Sequence, residues 1–237
     1  MRLMEIQYDG RARFIKRPNR FLAVADILSD EGDVSIRDNV HVHDPGRLEE
    51  ILIPGTELLL KRVENPKRKT KWDILAGRVE DQWVFIHSGY HRRISEAILL
   101  SDLNPFGSVN KLRAEVVVGD SRMDFLLEME DSTDLTLEVK GCSLAVDGVA
   151  LFPDAPTKRG TRHLRELIRI AESKKRSGLM FLAFRKDSDC FLPKGDTDPD
   201  FEDIFRRAQK AGVEIHVIKV CYNGKTMEYL GEIPICF

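Results

Sequence analysis

The sequence predicts an α/β protein of two domains: a small N-terminal β-barrel over residues 1–87 and a C-terminal domain with a mixed sheet over residues 88–237. Two pattern observations support this. Short segments with alternating apolar residues fill the first part, whereas segments with helical and with strand periodicity alternate beyond residue 88. Hydrophobic residues make up 42% of the chain and charged residues 32%, which suits a globular protein with a real core and excludes wholesale disorder.

The N-terminal part is predicted to be a barrel of short strands. They are expected at residues 11–15, 21–27, 34–42, 57–61, 72–79 and 83–87. One short helix is expected at residues 47–52, with Asp44 as its N-cap and Pro45 at its first position. Strands with a helix between the third and fourth are typical of an OB-fold, a barrel that often binds oligonucleotides through its loops.

The C-terminal part is predicted to alternate strands and helices. Strands are expected at residues 113–118, 123–130, 135–139, 146–152, 179–184 and 214–220, and helices at residues 94–100, 159–176 and 200–211. Gly212 follows the last helix as a suitable C-terminal residue. Strands separated by helices indicate parallel pairing and a sheet that is covered on both faces.

Three charged residues on neighbouring strands form a candidate catalytic site. Glu138 and Lys140 lie two positions apart and therefore share one face of a strand. A hairpin over residues 129–134 would place Asp124 of the preceding strand alongside them. Carboxylate oxygens suit Mg²⁺ or Mn²⁺, and a lysine can orient water or neutralise developing charge. We therefore predict Asp124, Glu138 and Lys140 as catalytic residues of metal-assisted phosphodiester cleavage, with Mg²⁺ or Mn²⁺ as cofactor.

The order of the predicted elements strengthens this short pattern, which chance alone can produce in so charged a chain. A helix, three strands, a helix and a strand, with the aspartate on the second strand and Glu-x-Lys on the third, resembles the PD-(D/E)xK nuclease superfamily. The resemblance implies that Asp124 and Glu138 are metal ligands. In some members a glutamate of the first helix joins them, and Glu96 occupies that position here. The alternative for Glu96 is an ordinary surface residue of the helix.

Basic residues are concentrated locally although the net charge is −2. One cluster lies in the loop between the fourth and fifth strands. Another covers one face of the helix predicted at residues 159–176, opposite the apolar residues Leu164, Leu167 and Ile168, and this basic face would extend to Arg176. Such clusters suit phosphate contacts, and the alternative is a solvated face. The predicted DNA-binding residues are Lys67, Arg68, Lys69, Lys71, Lys158, Arg159, Arg162, His163, Arg165 and Arg169. Backbone N–H groups near Gly160 could hold a further phosphate.

The remaining candidates indicate ordinary structure. His41 and His43 alternate on one strand but lack a third ligand, so they are interpreted as surface residues rather than a metal site. The cysteines, Cys142, Cys190, Cys221 and Cys236, show no CxxC spacing and are expected to be reduced. Neither a signal peptide nor an apolar run of roughly 20 residues is present. We therefore expect a cytoplasmic protein without membrane contact.

Two longer runs of sequence, residues 137–144 and 147–160, resemble the signature of the sugar fermentation stimulation protein family. The resemblance extends to residues 17–23, 65–70, 121–127 and 198–201. It implies an OB-like domain, a nuclease-like domain and DNA binding linked to the regulation of sugar metabolism genes. The chain departs from the family pattern at residues 43–47 and 86–91, so no role is carried over to those two loops.

Three functional hypotheses follow from these features. The first is a DNA-binding protein with a metal-dependent nuclease site. The second is a non-catalytic DNA-binding regulator that retains the nuclease fold. The third is an enzyme acting on a small phosphoester or a carbohydrate with the same carboxylates. DNA is the favoured partner because basic clusters flank the trio, and a homo-oligomer remains compatible with the sequence.

Overall fold

The computed structural model describes residues 1–119 and 121–236 and begins with a small closed barrel. The strands of this part are β1 (Arg2–Glu5), β2 (Gly10–Asn19), β3 (Leu22–Leu28), β4 (Val34–His41), β5 (Glu57–Arg62), β6 (Trp72–Val79) and β7 (Gln82–Phe85). Strands β3, β2, β5 and β6 pair in that order, and β4 closes the ring by pairing with both β3 and β6. The alternating residues of these strands fill the barrel interior. The predicted OB-type barrel is confirmed.

The predicted helix at residues 47–52 is wrong. Leu48 has a φ of 53°, in the left-handed region that an α-helix cannot include. Only a single turn forms, in which Ile51 and Leu52 donate to the Leu48 carbonyl. Asp44 accepts from the Gly46 amide at 2.8 Å instead of capping a helix. The Leu48 amide donates to Asp154 at 3.2 Å, so contact with a distant loop sets this conformation.

The C-terminal part is a mixed sheet with helices on both faces. The strands of that sheet are β8 (Val109–Val118), β9 (Ser121–Met129), β10 (Asp134–Cys142), β13 (Arg176–Ala183), β15 (Glu214–Tyr222) and β16 (Thr226–Glu232). A separate small sheet is formed by β11 (Ala145–Val146), β12 (Val149–Phe152) and β14 (Cys190–Pro193). The helices are α1 (His91–Leu99), α2 (Lys158–Glu172) and α3 (Pro199–Lys210). Strands β8, β9 and β10 form an antiparallel meander, after which β10, β13 and β15 pair in parallel. The predicted α/β class and nuclease-like order are confirmed.

Two hydrophobic cores lie on opposite faces of this sheet. Helices α2 and α3 cover one face, where Leu167 and Phe205 pack with Phe181 of β13. Helix α1 and the barrel cover the other face, where Ile98 packs in a common core with Leu137 of β10. No helix in the described part of the chain is long and apolar enough to cross a membrane.

Strands at the two ends of the chain, which the sequence pattern did not indicate, connect the barrel to the mixed sheet. β1 pairs antiparallel with β16, and Trp83 of β7 pairs with Tyr222 of β15. The buried Tyr222 hydroxyl donates to the Ile6 carbonyl at 2.6 Å. The strand order therefore runs without interruption from the barrel into the C-terminal sheet.

The expectation that all four cysteines are reduced is wrong. Cys190 and Cys236 form a disulfide across a sequence separation of 46 residues. The C-terminal segment runs parallel to β14, with an isolated bridge between Phe191 and Ile235, and this pairing brings the two cysteines together. Local CxxC spacing could not reveal a pair so distant in sequence. Cys142 and Cys221 are free thiols.

Candidate metal and nucleic-acid site

A cleft of about 690 Å³ lies between the barrel and the C-terminal sheet, and is called the central cleft below. Asp124, Glu138 and Lys140 line it from the strands β9 and β10. The barrel contributes Arg20 and residues 44–46, and residues 151–160 form the remaining wall. The predicted trio therefore faces a concave surface that is built from both parts of the chain.

The pairing of β9 with β10 brings the trio together. Leu137 pairs with Phe125, so Asp124 of one strand lies across from Glu138 of the other. The Asp124 carboxylate extends over β10 and accepts a hydrogen bond of 2.7 Å from the Val139 amide. This bond occupies Oδ2 and fixes the direction of the carboxylate. The predicted hairpin, with β9 ending at Met129 and β10 beginning at Asp134, thus produces the expected proximity.

Glu138 is the most enclosed member of the trio, with only 2% of its surface exposed. Its Oε1 accepts hydrogen bonds from Lys140 Nζ and from His163 Nδ1. Its Oε2 is buried and has no hydrogen-bond partner among the described residues. A buried carboxylate oxygen without a partner is unusual and indicates a missing ligand at this position.

His163 holds Glu138 from the first turns of α2. A carboxylate only accepts hydrogen bonds, so His163 Nδ1 carries the proton that bonds Glu138. Its other nitrogen, Nε2, accepts from Arg159 Nε at 3.4 Å, which fits the neutral ring. The chain of contacts from Arg159 through His163 to Glu138 therefore links the start of α2 to the trio.

The pKa values of the two carboxyl groups of the trio are shifted in opposite directions. Burial raises the pKa of Asp124 to about 6, and the neighbouring charge of Glu138 adds to the effect. Burial also acts to raise the pKa of Glu138, but the hydrogen bond from His163 and the charge and hydrogen bond of Lys140 outweigh it, and the pKa is lowered. Glu138 is therefore held as an anion, while Asp124 exchanges its proton readily near neutral pH.

This donor set fits a hard divalent cation. Asp124 and Glu138 offer carboxylate oxygens on one wall of an open cleft, and Mg²⁺ and Mn²⁺ prefer such oxygens together with bound water. The partnerless Glu138 Oε2 is the oxygen that a cation would satisfy. Residues Asp124 and Glu138 could therefore hold the metal.

The structure does not bring Glu96 into this site. Its carboxylate accepts a hydrogen bond of 2.8 Å from Arg92 one helical turn earlier and is absent from the lining of the central cleft. Helix α1 begins at His91, so its first turn, with His91 and Arg92, faces the cleft and Glu96 lies beyond it. Glu96 therefore lies outside the cleft that holds the trio, and its position agrees with the alternative of an ordinary helix residue.

The basic face of α2 is present in the structure, with two corrections. Lys158, Arg159, Arg162, Arg165 and Arg169 are all exposed along the helix. Helix α2 ends at Glu172, however, and Arg176 begins β13, where it pairs with Glu214 at 2.8 Å. His163 is only 1% exposed, so the prediction that it contacts DNA directly is wrong. It supports Glu138 instead.

The start of α2 opens onto the central cleft. Thr157 caps the helix by accepting a hydrogen bond of 3.1 Å from the Gly160 amide, and Asp198 accepts from the Thr157 amide at 2.7 Å. Residues 157–160 line the cleft, so the positive end of the helix dipole is directed towards it. This position agrees with the expectation of a phosphate near Gly160, although the cap already occupies the Gly160 amide.

The basic loop between β5 and β6 contains three exposed lysines and one arginine that is paired with an aspartate. Lys67, Lys69 and Lys71 are exposed. Arg68 is half-buried and donates from both terminal nitrogens to the carboxylate of Asp73. The three lysines remain candidates for phosphate contact, whereas Arg68 already has an acidic partner.

A further acidic residue at the cleft, Glu115, was not indicated by the sequence. Its neighbours on β8, Ala114 and Val116, pair with Phe125 and Met123, so Glu115 lies across from Asp124. It has a φ of 55°, which is strained for a glutamate within a strand. The alternation of β8 shows only that Glu115 is on a surface, and the positive φ could not be foreseen from it.

Comparisons with known proteins cover both parts of the chain. The family described as "SfsA N-terminal OB domain" matches residues 15–86, and "Sugar fermentation stimulation protein RE domain" matches residues 89–226. A sugar fermentation stimulation protein homolog from Methanococcoides burtonii is 43% identical over 99% of this chain and 95% of its own. A homolog from Thermotoga neapolitana is 40% identical over 98% of both chains. The solved structure of Pyrococcus furiosus SfsA in complex with Ca²⁺ superposes with a TM-score of 0.89 at 26% identity and covers 100% of both chains.

Proposed function

Because the chain belongs to the sugar fermentation stimulation protein family, whose nuclease-like fold here carries a carboxylate site in a cleft, we propose that it binds DNA and hydrolyses phosphodiester bonds with Mg²⁺ or Mn²⁺. Asp124 and Glu138 are the metal ligands and Lys140 is the third catalytic residue. The proposal includes a cytoplasmic location, where the DNA of a prokaryotic cell lies. The link to sugar metabolism rests on the name of the family.

One observation carries the proposal. Glu138 is kept anionic in a nearly closed position, and its Oε2 is buried without a partner beside Asp124. A buried charge with an unsatisfied oxygen is destabilising unless a ligand completes it. The likeness to Pyrococcus furiosus SfsA, which was solved in complex with Ca²⁺, supports a divalent cation as that ligand.

Each residue of the site has a distinct role in the proposed reaction. A bound Mg²⁺ or Mn²⁺ would polarise the phosphate and lower the pKa of an attacking water. Asp124 and Glu138 hold the cation, and the Val139 amide fixes the direction of Asp124. His163 holds Glu138 in place through Oε1. Lys140, which lines the cleft and bonds Glu138, would stabilise negative charge that develops on the phosphate.

The basic face of α2 supports DNA as the substrate. Lys158 and Arg159 of its first turn line the central cleft, and Arg162 and Arg165 continue the same face beyond it. The bound phosphate of one nucleotide at the trio would therefore place neighbouring phosphates near these side chains. Contacts of this kind give affinity for a polyanion without base recognition.

A cleavage assay tests the proposal. Labelled duplex and single-stranded DNA are incubated with the purified full chain in Mg²⁺ or Mn²⁺, with Glu138→Ala, and with the control Glu202→Ala on α3. We expect metal-dependent cutting by wild type and control that is lost in Glu138→Ala and in chelator, by at least about 100-fold. Cutting retained by Glu138→Ala would contradict the assignment of the site.

The second candidate is a DNA-binding regulator without catalysis. The observation that favours it is that Lys140 already pairs with the Glu138 charge and His163 donates a hydrogen bond to it, without a cation. It predicts no cutting by wild type on substrates that the protein binds in a gel-shift assay.

DNA binding itself is tested on α2 and separates both candidates from a small-molecule enzyme. Replacing Arg162 and Arg165 together by Gln should weaken binding to a long duplex and reduce the slope of log affinity against log salt by about 0.9 for each lost contact. Replacing Arg207 and Lys210 of α3 by Gln is the matched control. An unchanged affinity and salt slope in the α2 variant would exclude this face from the DNA contact.

A further inference from the structure

A second group of ligand-type side chains lies in the barrel, away from the trio. It comprises His43 after β4, Asp73 in β6 and His87 after β7, and is called the histidine cluster below. Their ligand atoms all lie within 4.8 Å of one another. His43 and Asp73 are half-buried and buried respectively, and His87 is 7% exposed.

His87 is a buried polar ring that its described neighbours satisfy only poorly. Its Nδ1 is buried and has no partner among the described residues. Its Nε2 lies 3.7 Å from Asp73 Oδ2, which is too long for a hydrogen bond. A buried imidazole in this state is expected to be satisfied by something else, since native structures leave few such groups unpaired.

The spacing of the cluster suits a small metal ion. His43 Nε2 lies 2.9 Å from Asp73 Oδ2, and the rings of His43 and His87 are stacked with their centroids 3.7 Å apart. A tetrahedral ion with bonds of about 2.0–2.1 Å separates its ligand atoms by about 3.3 Å. The two distances to Asp73, 2.9 and 3.7 Å, bracket that value. Because the stacked ring planes are only 24° apart, one imidazole must rotate out of the stack before both rings can reach one ion.

Arg68 orients the carboxylate of the cluster. Its Nη2 donates to Asp73 Oδ1 and its Nη1 donates to Asp73 Oδ2 at 3.1 Å, and Oδ2 also faces the two histidines. An outer hydrogen bond of this kind fixes the direction of a ligating carboxylate. A cation on Oδ2 would displace the Arg68 Nη1 bond from that oxygen and leave the bond to Oδ1 in place, and the positive charge of Arg68 reduces the affinity of the site.

We propose that His43, Asp73 and His87 form a binding site for a first-row transition-metal dication, with Zn²⁺ as the best match. Imidazole nitrogen and carboxylate oxygen are ligands that Zn²⁺ accepts, and three protein ligands leave one position open to water. The ion would join the ends of β4 and β7 to β6. Asp44 and Ser88, next in sequence to the two histidines, line the central cleft, so the ion would stabilise its barrel wall.

Direct metal titration tests this site independently of the nuclease proposal. The full chain carrying Glu138→Gln, which disables the trio, is freed of metal with chelator and titrated with Zn²⁺ by calorimetry and with Co²⁺ by visible absorption. The same measurements are made after adding His43→Asn, His87→Asn, or the control His216→Asn, whose ring bonds Glu232 far from the cluster.

We expect one ion per chain, with the intense visible absorption of low-coordinate Co²⁺. In both cluster variants the affinity for the ion should fall by more than about 10–100-fold. A loss of that size is typical when a residue that only hydrogen-bonds a metal ligand is changed. His216→Asn should bind as the parent does. No binding by the parent, or equal binding by the His43→Asn variant, would overturn the proposal. His43 is 27% exposed at its side chain, so His43→Asn keeps the test valid if His87→Asn does not fold.

Discussion

At the scale of single residues, the central feature is a buried anion that is only half satisfied. Removing one partner of a buried charge costs about 3–5 kcal/mol, so Glu138 depends on Lys140 and His163 in the absence of metal. The spacing of Glu138 and Lys140 predicted their common face. The hydrogen bond from His163 to Glu138 could not be predicted, because it joins residues 25 positions apart and depends on how α2 packs across the sheet.

Asp44 supplies a prediction at this scale. Burial raises its pKa to about 6 from an ordinary value of 3.8, and Asp154 adds to the effect. A carboxyl group with a raised pKa takes up a proton on folding, so its contribution to stability is lost as pH rises from about 4 to about 6. Asp44→Asn should therefore raise the free energy of unfolding at pH 7 by about 1–3 kcal/mol and leave it unchanged at pH 4.

Urea unfolding of wild type and Asp44→Asn at both pH values measures this difference. The asparagine keeps an oxygen to accept from the Gly46 amide. Exposed Asp30→Asn is the control and should change neither value. A variant that is less stable than wild type at pH 7 would show that Asp44 is ionised and stabilised in the folded protein.

At the scale of elements, helix α2 combines a buried stripe, a basic face and a terminus at the cleft. The spacing of its apolar residues predicted the first two features. Its end was predicted four residues too late, because Ser173 terminates the helix and Lys174 adopts a φ of 61°. The failed helix at residues 47–52 has a related cause, since a bond from the Leu48 amide to Asp154 fixes a turn that local propensity opposes.

The cap of α2 can be tested separately from its charge. Thr157→Ala removes the acceptor of the Gly160 amide and should lower the free energy of unfolding by about 1 kcal/mol. Thr157→Ser retains the hydroxyl and should stay close to wild type. Urea denaturation followed by circular dichroism gives both values. Equal loss in the two variants would mean that the methyl group, and not the cap, matters.

At the scale of the whole molecule, pairing between distant segments builds the cleft. β1 joins β16, and β7 joins β15, so barrel and sheet are held in a fixed relation on either side of the trio. Neither β1 nor β16 was predicted, because short edge strands gain their stability from a partner at the other end of the chain. The element order and the trio were predicted, since periodicity and spacing are local properties.

The disulfide gives a prediction at this scale. Closing a loop of 46 residues restricts the unfolded chain, which is worth about 3–4 kcal/mol. Cys236→Ser should lower the free energy of unfolding by that amount, and so should reduction of wild type. Cys221→Ser, at a free thiol, is the control. Identical urea midpoints for wild type and Cys236→Ser would show that the bond is absent in solution.

The central claim is that Asp124 and Glu138 hold a divalent cation. The most direct measurement is the anomalous scattering of Mn²⁺ in crystals of the full chain grown with the ion. We expect a peak in contact with the carboxylates of both residues, at about 2.0–2.2 Å, and its disappearance in Glu138→Gln. A cleft that contains no anomalous peak at saturating Mn²⁺, or a peak that Glu138→Gln leaves unchanged, would contradict it.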